Sequence, residues 1–251
     1  MKGVILAGGL GTRLYPLTHA TNKHLLPVFD KPMVYYPIQT LVNAGITDIL
    51  VVVGGPHAGD FIRVLKNGQD FGIKHLEYAY QEAGDGGIAD ALRLAHDFAD
   101  GESITAILGD NCTDADISKE VAAFKKGALI FLKKVPDPHR FGIAEFDPND
   151  KTKIVRIIEK PKKPKFDLAV TGVYIYDEEV FHHIAVIKPS ERGQLEITDV
   201  NNIYIKEGTM TWSMLAGYWS DAGTFESLYR TNVYWSRKNL GAKVEKDLTT
   251  F

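Results

Sequence analysis

Near the start of the chain a short apolar run, Val4 to Ala7, empties into Gly8, Gly9, Leu10 and Gly11, with Arg13 close behind and Lys23 further on. Backbone N–H groups in a glycine-rich turn can wrap an anion, a guanidinium grips phosphate oxygens in pairs, and an ammonium adds a compact charge. The same residues also suit a tight strand-to-helix turn carrying a surface arginine, and the glycines alone do not decide between the two. Two familiar phosphate loops are excluded. A dinucleotide fingerprint begun at Gly9 is met by Gly9 and Gly11, but it puts Leu14 where a small residue must let helix and strand close together. Asp30 has the spacing of the ribose-binding acid, yet it sits in LLPVFDKPM rather than at a strand end. A P-loop counted from Gly8 would need a Gly-Lys pair where the chain has Arg13 and Leu14.

Asp110 closes the run ITAILGD, and Asp221 lies in YWSDAGT, also after an apolar run. Open α/β sheets bind ligands beyond the carboxyl ends of their strands. Two carboxylates there, completed by phosphate oxygens and water, suit Mg²⁺. A strand-end aspartate serves equally as a helix or turn cap. No Ser–His or Cys–His nucleophile pair is evident.

The elements that must position these groups alternate between β-branched runs and helical periods. Strands are expected at Val4–Ala7, Asp48–Val53, Leu76–Gln81, Ile104–Gly109, Ala128–Lys133, Ile143–Phe146, Ile154–Glu159, Val170–Tyr176 and Trp212–Tyr218. Val34, Ile38, Leu41, Val42 and Gly45 fit a helical period, as do Ile88, Leu92, Ala95 and Phe98. Asp199 to Glu207, closed by Gly208, and Phe225 to Arg237 read as later helices. This alternation implies an α/β fold: a Rossmann-like, doubly wound, mostly parallel mixed sheet flanked by helices, with extra strands in the second half. One domain is expected over residues 1–251, and VPDPHRFG (135–142) reads as a turn cluster rather than a linker.

At 251 residues, 45% hydrophobic and 24% charged, the chain can bury a full core. A net charge of −3 argues against a nucleic-acid partner tracked by a basic face. The single cysteine, Cys112, makes no internal disulfide and reads as a small filler, its thiol a lesser candidate for modification. There is no run long enough to span a membrane and no signal peptide, so the cytoplasm is the expected compartment.

The segment AGGLGTRLYPLTHATNKHLLPVFDKPMVYYPIQTLVNAGI resembles the signature of sugar-nucleotide pyrophosphorylases, and within them the glucose-1-phosphate thymidylyltransferases. LGDN, RFGIAEFD, IIEKP, VTGVYIYD, RGQLEITDVN and WSDAGT carry the resemblance to about Arg230. It implies attack by a sugar 1-phosphate on the α-phosphorus of a nucleoside triphosphate: dTTP, or UTP, with glucose 1-phosphate, giving dTDP-glucose and diphosphate. It also implies Mg²⁺ at Asp110 and Asp221, and Arg13, Lys23, Asp110 and Lys160 as the catalytic set. Leu6, Gly8, Gly9, Gly11, Thr12, Arg13, Lys23, Gln81, Gly87 and Asp110 match the nucleotide side, about residues 1–110. Gln81 would read the thymine or uracil edge through its amide, which offers both a donor and an acceptor. Asn111, Gly142, Glu159, Lys160, Val170 and Tyr174 match the sugar-phosphate side, about residues 111–235. Adjacent strand side chains point to opposite faces, so Glu159 and Lys160 can share a ligand only if the strand has ended by Lys160, which Pro161 favours.

The chain departs from that pattern in places. His24 stands where glutamine is usual and would make phosphate binding pH-sensitive. Asp90 also replaces a glutamine, after a glycine turn about one residue longer than usual, so base preference is open there. Only a charged tail, residues 240–251, follows where longer relatives continue into helices that help form a regulatory nucleotide site. A homo-oligomer, dimer or tetramer, is expected. By the same resemblance the product would feed deoxysugar synthesis such as dTDP-rhamnose. The alternatives are a non-catalytic sugar-nucleotide sensor, which needs no metal-holding pair, and a nucleotide-dependent oxidoreductase, opposed by Leu14.

Overall fold

The computed structural model describes residues 1–82 and 86–241. Its first half runs β1 (Lys2–Ala7), a small hairpin of β2 (Pro27–Val28) and β3 (Lys31–Pro32), α1 (Tyr35–Asn43), β4 (Asp48–Gly54) and α2 (Ala58–Leu65). It continues through β5 (His75–Gln81), α3 (Ile88–Arg93), α4 (His96–Ala99) and β6 (Ile104–Leu108). The second half holds β7 (Asn111–Thr113), α5 (Ser118–Ala123), β8 (Ala128–Lys134), β9 (Gly142–Phe146), β10 (Ile154–Glu159) and β11 (Leu168–Tyr176). Then follow α6 (Glu179–Val186), α7 (Ile197–Glu207), β12 (Met210–Met214), β13 (Trp219–Asp221) and α8 (Phe225–Leu240).

Strand β1 shows why the first half is apolar without interruption. Val4 and Leu6 pack into one core with Leu50, Val52 and Ala106. Ile5 and Ala7 pack into a second core on the opposite face with Val51, Val53 and Ile107. A sheet covered on both faces needs apolar side chains at every position rather than at alternate ones. Helices α1 and α2 bring Ile38, Leu41, Phe61 and Leu65 to the second core, while α3, α6 and α7 bring Leu92, Val180, Ile184 and Val200 to the first. The parallel strands run in the order β5-β4-β1-β6, and β11 adds to β6 in the antiparallel sense.

The doubly wound expectation holds, and the extra second-half strands extend the same sheet. β11 is its fork. Tyr174–Tyr176 pair with both β6 and β8, whereas at Ala169 the edge is taken by β9 through Ile143. Between these two pairings Gly172 is left for a side chain to reach.

Two element boundaries differ from expectation. The strand expected over Trp212–Tyr218 stops at Met214, and the next begins only at Trp219. Between them Gly217 turns the chain at φ 65, and Asp114 accepts a hydrogen bond from the Tyr218 backbone N at 2.6 Å. β13 then pairs with β7 in a separate ribbon, with Asp221 opposite Asn111. The period from Ile88 to Phe98 is likewise two short helices, α3 and α4. Beyond Gly241 the tail lies outside the described residues, as do positions 83–85 of the glycine turn. Among the described residues no helix is long and apolar enough to cross a membrane.

Candidate active site

The strand order reverses between β1 and β6, and open α/β sheets form their ligand crevice at such a point. A cavity of about 600 Å³ lies there, beyond the carboxyl ends of both strands. Leu6, Gly8, Gly9, Arg13, Lys23, Gln81, Gly87 and Asp110 line its first side. Asn111, Gly142, Glu159, Lys160, Val170, Tyr174 and Asp221 line the other. Thus nearly every site residue expected from the sequence meets in one cavity. Gly11 and Thr12 are not in its wall. Gly11, at φ 69, turns the loop, and its carbonyl accepts a hydrogen bond from Thr18 Oγ1 at 2.8 Å.

At the centre Lys23 Nζ donates to Asp110 Oδ2 at 2.6 Å, both side chains nearly buried. Burial works against charge on Asp110, yet Lys23, His24 and the hydrogen bonds from Lys23 and Asn111 hold its carboxyl well below the usual range. Asn111 ties Asp110 to the fork in the sheet. Its Nδ2 donates to Asp110 Oδ1 at 3.0 Å, while its Oδ1 accepts from Gly172 N at 2.9 Å and from Trp219 Nε1 at 2.7 Å. A Cβ on Gly172 would come within 2.6 Å of the Asn111 amide, so only glycine admits this contact.

Asp221 arrives from β13 and accepts from Arg140 Nη2 at 2.6 Å, and Arg140 Nη1 donates to Asp137 Oδ2 at 2.8 Å. Burial first, and then the Asp110 charge, push the Asp221 carboxyl up to about 6, against the pull of Arg140, Arg13 and Lys23. The two carboxylates converge beside Gly223. A Cβ placed there would lie 3.3 Å from Asp110 Oδ2, 3.7 Å from Asp221 Oδ2 and 3.3 Å from Arg13 Nη2. Hard oxygen donors around such a cradle fit Mg²⁺. No group of three or more His, Cys, Asp or Glu side chains among the described residues is placed to hold an ion, so phosphate oxygens and water would have to complete its shell.

On the sugar-phosphate side, β10 ends at Glu159, and Lys160 takes the left-handed φ of 42 with its N–H donating to Phe141 O at 3.0 Å. A non-glycine residue rarely adopts that conformation. Here it turns Lys160 toward the same cavity as Glu159, which two successive strand residues would not share. Thr198 Oγ1 donates to Glu159 Oε2 at 2.7 Å, and Lys160 Nζ lies 3.1 Å from Glu159 Oε1. Arg192, Thr198, Arg140 and Trp219 also line the cavity and were not among the expected residues. The RFG and RGQLEITDVN stretches held the signal for three of them.

On the nucleotide side Gly8 passes directly beneath Gln81, where a Cβ would sit 2.3 Å from Gln81 Oε1. His24, expected as a pH-sensitive phosphate group, is enclosed in the wall of the cavity. It is 2% exposed, with Nδ1 2.8 Å from Asn22 Oδ1. Burial and the Lys23 charge hold its imidazole neutral, with a pKa lowered to about 3 against the opposing pull of Asp110 and the Ala7 carbonyl. Cys112 is fully buried in a small cluster with Leu14, Met33 and Trp235, and its thiol is pushed well up by burial. It is the filler expected.

Residues 2–237 match the nucleotidyl transferase family. The glucose-1-phosphate thymidylyltransferase of Neisseria meningitidis is 45% identical over 91% of this chain and 80% of its own length. That of Xanthomonas campestris pv. campestris is 44% identical over 91% and 78%. A crystal structure assigned to the same enzyme class from Bacillus anthracis superposes with a TM-score of 0.87 at 48% identity, covering 93% of this chain and 94% of that one. A UDP-glucose pyrophosphorylase complexed with UDP-glucose shares the fold, with a TM-score of 0.83 at 21% identity, covering 95% and 99%. With a matched region that contains every residue of the cavity, the chain belongs to the nucleotidyl transferase family, in its glucose-1-phosphate thymidylyltransferase branch.

Proposed function

We propose that the chain transfers a thymidylyl group from dTTP to glucose 1-phosphate, giving dTDP-glucose and diphosphate. The observation that carries the reading is the joining in one cavity of the Lys23–Asp110 pair and the Glu159–Lys160 pair, a triphosphate-gripping corner facing a sugar-phosphate corner. A sugar 1-phosphate is already largely ionised at neutral pH, so its oxygen needs no general base. The difficulty is to bring two anions together, and the groups on hand suit positioning and charge neutralisation. Arg13 and Lys23 grip the triphosphate and stay with the departing diphosphate. Lys160 holds the sugar phosphate, and Glu159, aimed by Thr198, accepts hydrogen bonds from sugar hydroxyls. Asp110 and Asp221 would hold Mg²⁺, which supplies charge neutralisation at the phosphates. Gln81 reads the base beside Gly8 and Gly87.

The test is diphosphate release across a panel of nucleoside triphosphates and sugar 1-phosphates. dTTP with glucose 1-phosphate should give the highest kcat/KM, and Asp110→Asn should abolish turnover while the unfolding transition is retained. A UTP optimum would correct the base. Tight nucleotide binding without turnover on any pair in the presence of Mg²⁺ would refute the enzyme reading in favour of a sensor.

A further inference from the structure

Gln81 is 4% exposed, and its amide nitrogen faces two groups that only accept: Asp90 Oδ2 at 2.8 Å and the Gly87 carbonyl at 3.4 Å. The other carboxylate oxygen of Asp90 accepts from Arg93 Nε at 2.8 Å. A carboxylate has no proton to give and an amide oxygen cannot donate, so the Gln81 nitrogen has to face Asp90. The amide atom left for a ligand is Oε1, an acceptor.

We propose that Asp90 sets base specificity by fixing which face of the Gln81 amide the nucleotide meets. The idea rests on the reading of Gln81 as the base-contacting residue. An acceptor suits the N3–H of an imide base, thymine or uracil, and repels the bare N3 of cytosine. Asp90 touches no substrate in this scheme and is a positioning residue, with Arg93 holding its outer oxygen.

The Asp90→Asn variant puts one oxygen where two donors compete. Arg93 carries a charge and makes the stronger hydrogen bond, so it takes that oxygen. The introduced amide nitrogen then turns to Gln81, whose own amide must flip and show its N–H to the base. A donor now stands where the acceptor matched the N3–H of the imide base. The ratio of kcat/KM for dTTP to that for dCTP should therefore fall by about tenfold or more. Removing the competitor reverses the effect: in Asp90→Asn/Arg93→Met the single oxygen returns to Gln81, and most of the wild-type ratio is restored. Arg93→Met alone keeps the wild-type ratio, because both Asp90 oxygens accept.

The experiment measures kcat/KM for dTTP, UTP and dCTP at fixed glucose 1-phosphate in the wild type, these three variants and Gln81→Ala, with thermal unfolding as a check. A merely structural Asp90 would lower kcat/KM for all three nucleotides equally and leave the ratio alone, and that result overturns the proposal. So does an Asp90→Asn/Arg93→Met double variant no closer to the wild-type ratio than Asp90→Asn. If Gln81→Ala keeps the wild-type ratio, the base-reading role of Gln81 itself is wrong and the proposal goes with it. If Gln81→Ala collapses the ratio and Asp90→Asn does not, only the Asp90 proposal is lost.

Discussion

Replacing Asn111 by Leu tests whether the centre of the site is held by the fork in the sheet. Asn111 is 1% exposed, and its oxygen accepts two hydrogen bonds, from Gly172 N at 2.9 Å and Trp219 Nε1 at 2.7 Å. Leucine has about the same shape but no acceptor, so both donors are left buried without a partner. An orphaned buried donor costs about 1–3 kcal/mol, so the pair costs about 2–6 kcal/mol, before the bond to Asp110 is counted. Against a usual stability of about 5–15 kcal/mol the variant should still fold, with a clearly lower urea midpoint. Trp219→Phe behaves differently. It removes one donor but leaves the Asn111 oxygen bonded to Gly172, so beyond lost ring packing it costs only a net hydrogen bond, about 1 kcal/mol. In the Asn111→Leu background the same change also removes an orphan. Trp219→Phe should therefore cost less there than in the wild type, by about 2–4 kcal/mol, the lost hydrogen bond of the one and the relieved orphan of the other together. Urea unfolding of the four proteins with unchanged m-values measures this coupling. Additivity within about 0.5 kcal/mol would refute the shared-acceptor reasoning. Turnover should fall sharply in Asn111→Leu, because Asp110 loses its contact at 3.0 Å.

Further outcomes follow from the same geometry. Gly8→Ala places a methyl 2.3 Å from Gln81 Oε1 and should raise KM for dTTP by about tenfold, with KM for glucose 1-phosphate unchanged. Thr198→Val removes the hydroxyl that aims Glu159, worth about 1 kcal/mol, and should raise KM for glucose 1-phosphate by about fivefold without touching KM for dTTP. His24 is neutral in the fold with a pKa of about 3, against 6.5 in the unfolded chain. Between those values the unfolded chain binds the proton and the folded one does not, so stability falls as pH falls, by about 1.4 kcal/mol per pH unit from this group. His24→Gln should flatten the urea-derived stability profile by that slope between about pH 4 and 6; an unchanged slope would show that His24 takes up its proton without unfolding.

What the sequence could disclose was residue type and local order. The uninterrupted apolar runs announced strands buried on both faces, and the strand–helix alternation announced the winding, because both are local properties of the chain. The Lys160 turn was legible too, since a proline after a charged pair limits where a strand can continue. The β12–β13 break was not. It depends on Asp114 capturing the Tyr218 backbone, a contact between residues 104 apart. Arg140 was missed for the same reason: it looked like part of a turn until Asp221, 81 residues away, came within 2.6 Å.

The two departures from the family pattern, His24 and Asp90, show how far residue type alone can mislead. By the resemblance both stand where glutamine is expected, and both bring a titratable group to the cavity wall or directly behind it, so the sequence treats them alike. Their surroundings separate them. His24 packs beneath Gly109, where a Cβ would meet its ring at 2.7 Å, and a ring so enclosed stays neutral. Asp90 is nearly as buried, at 8% exposure, yet it has a guanidinium on one oxygen and an amide on the other. A buried charge needs a partner or its burial is costly. Asp90 has that partner in Arg93, which reaches it from the half-exposed rim of the site. A carboxylate accepts on both sides, which a glutamine would not do. The substitution therefore trades an amide, free to turn either way, for a group that can hold Gln81 in one orientation only.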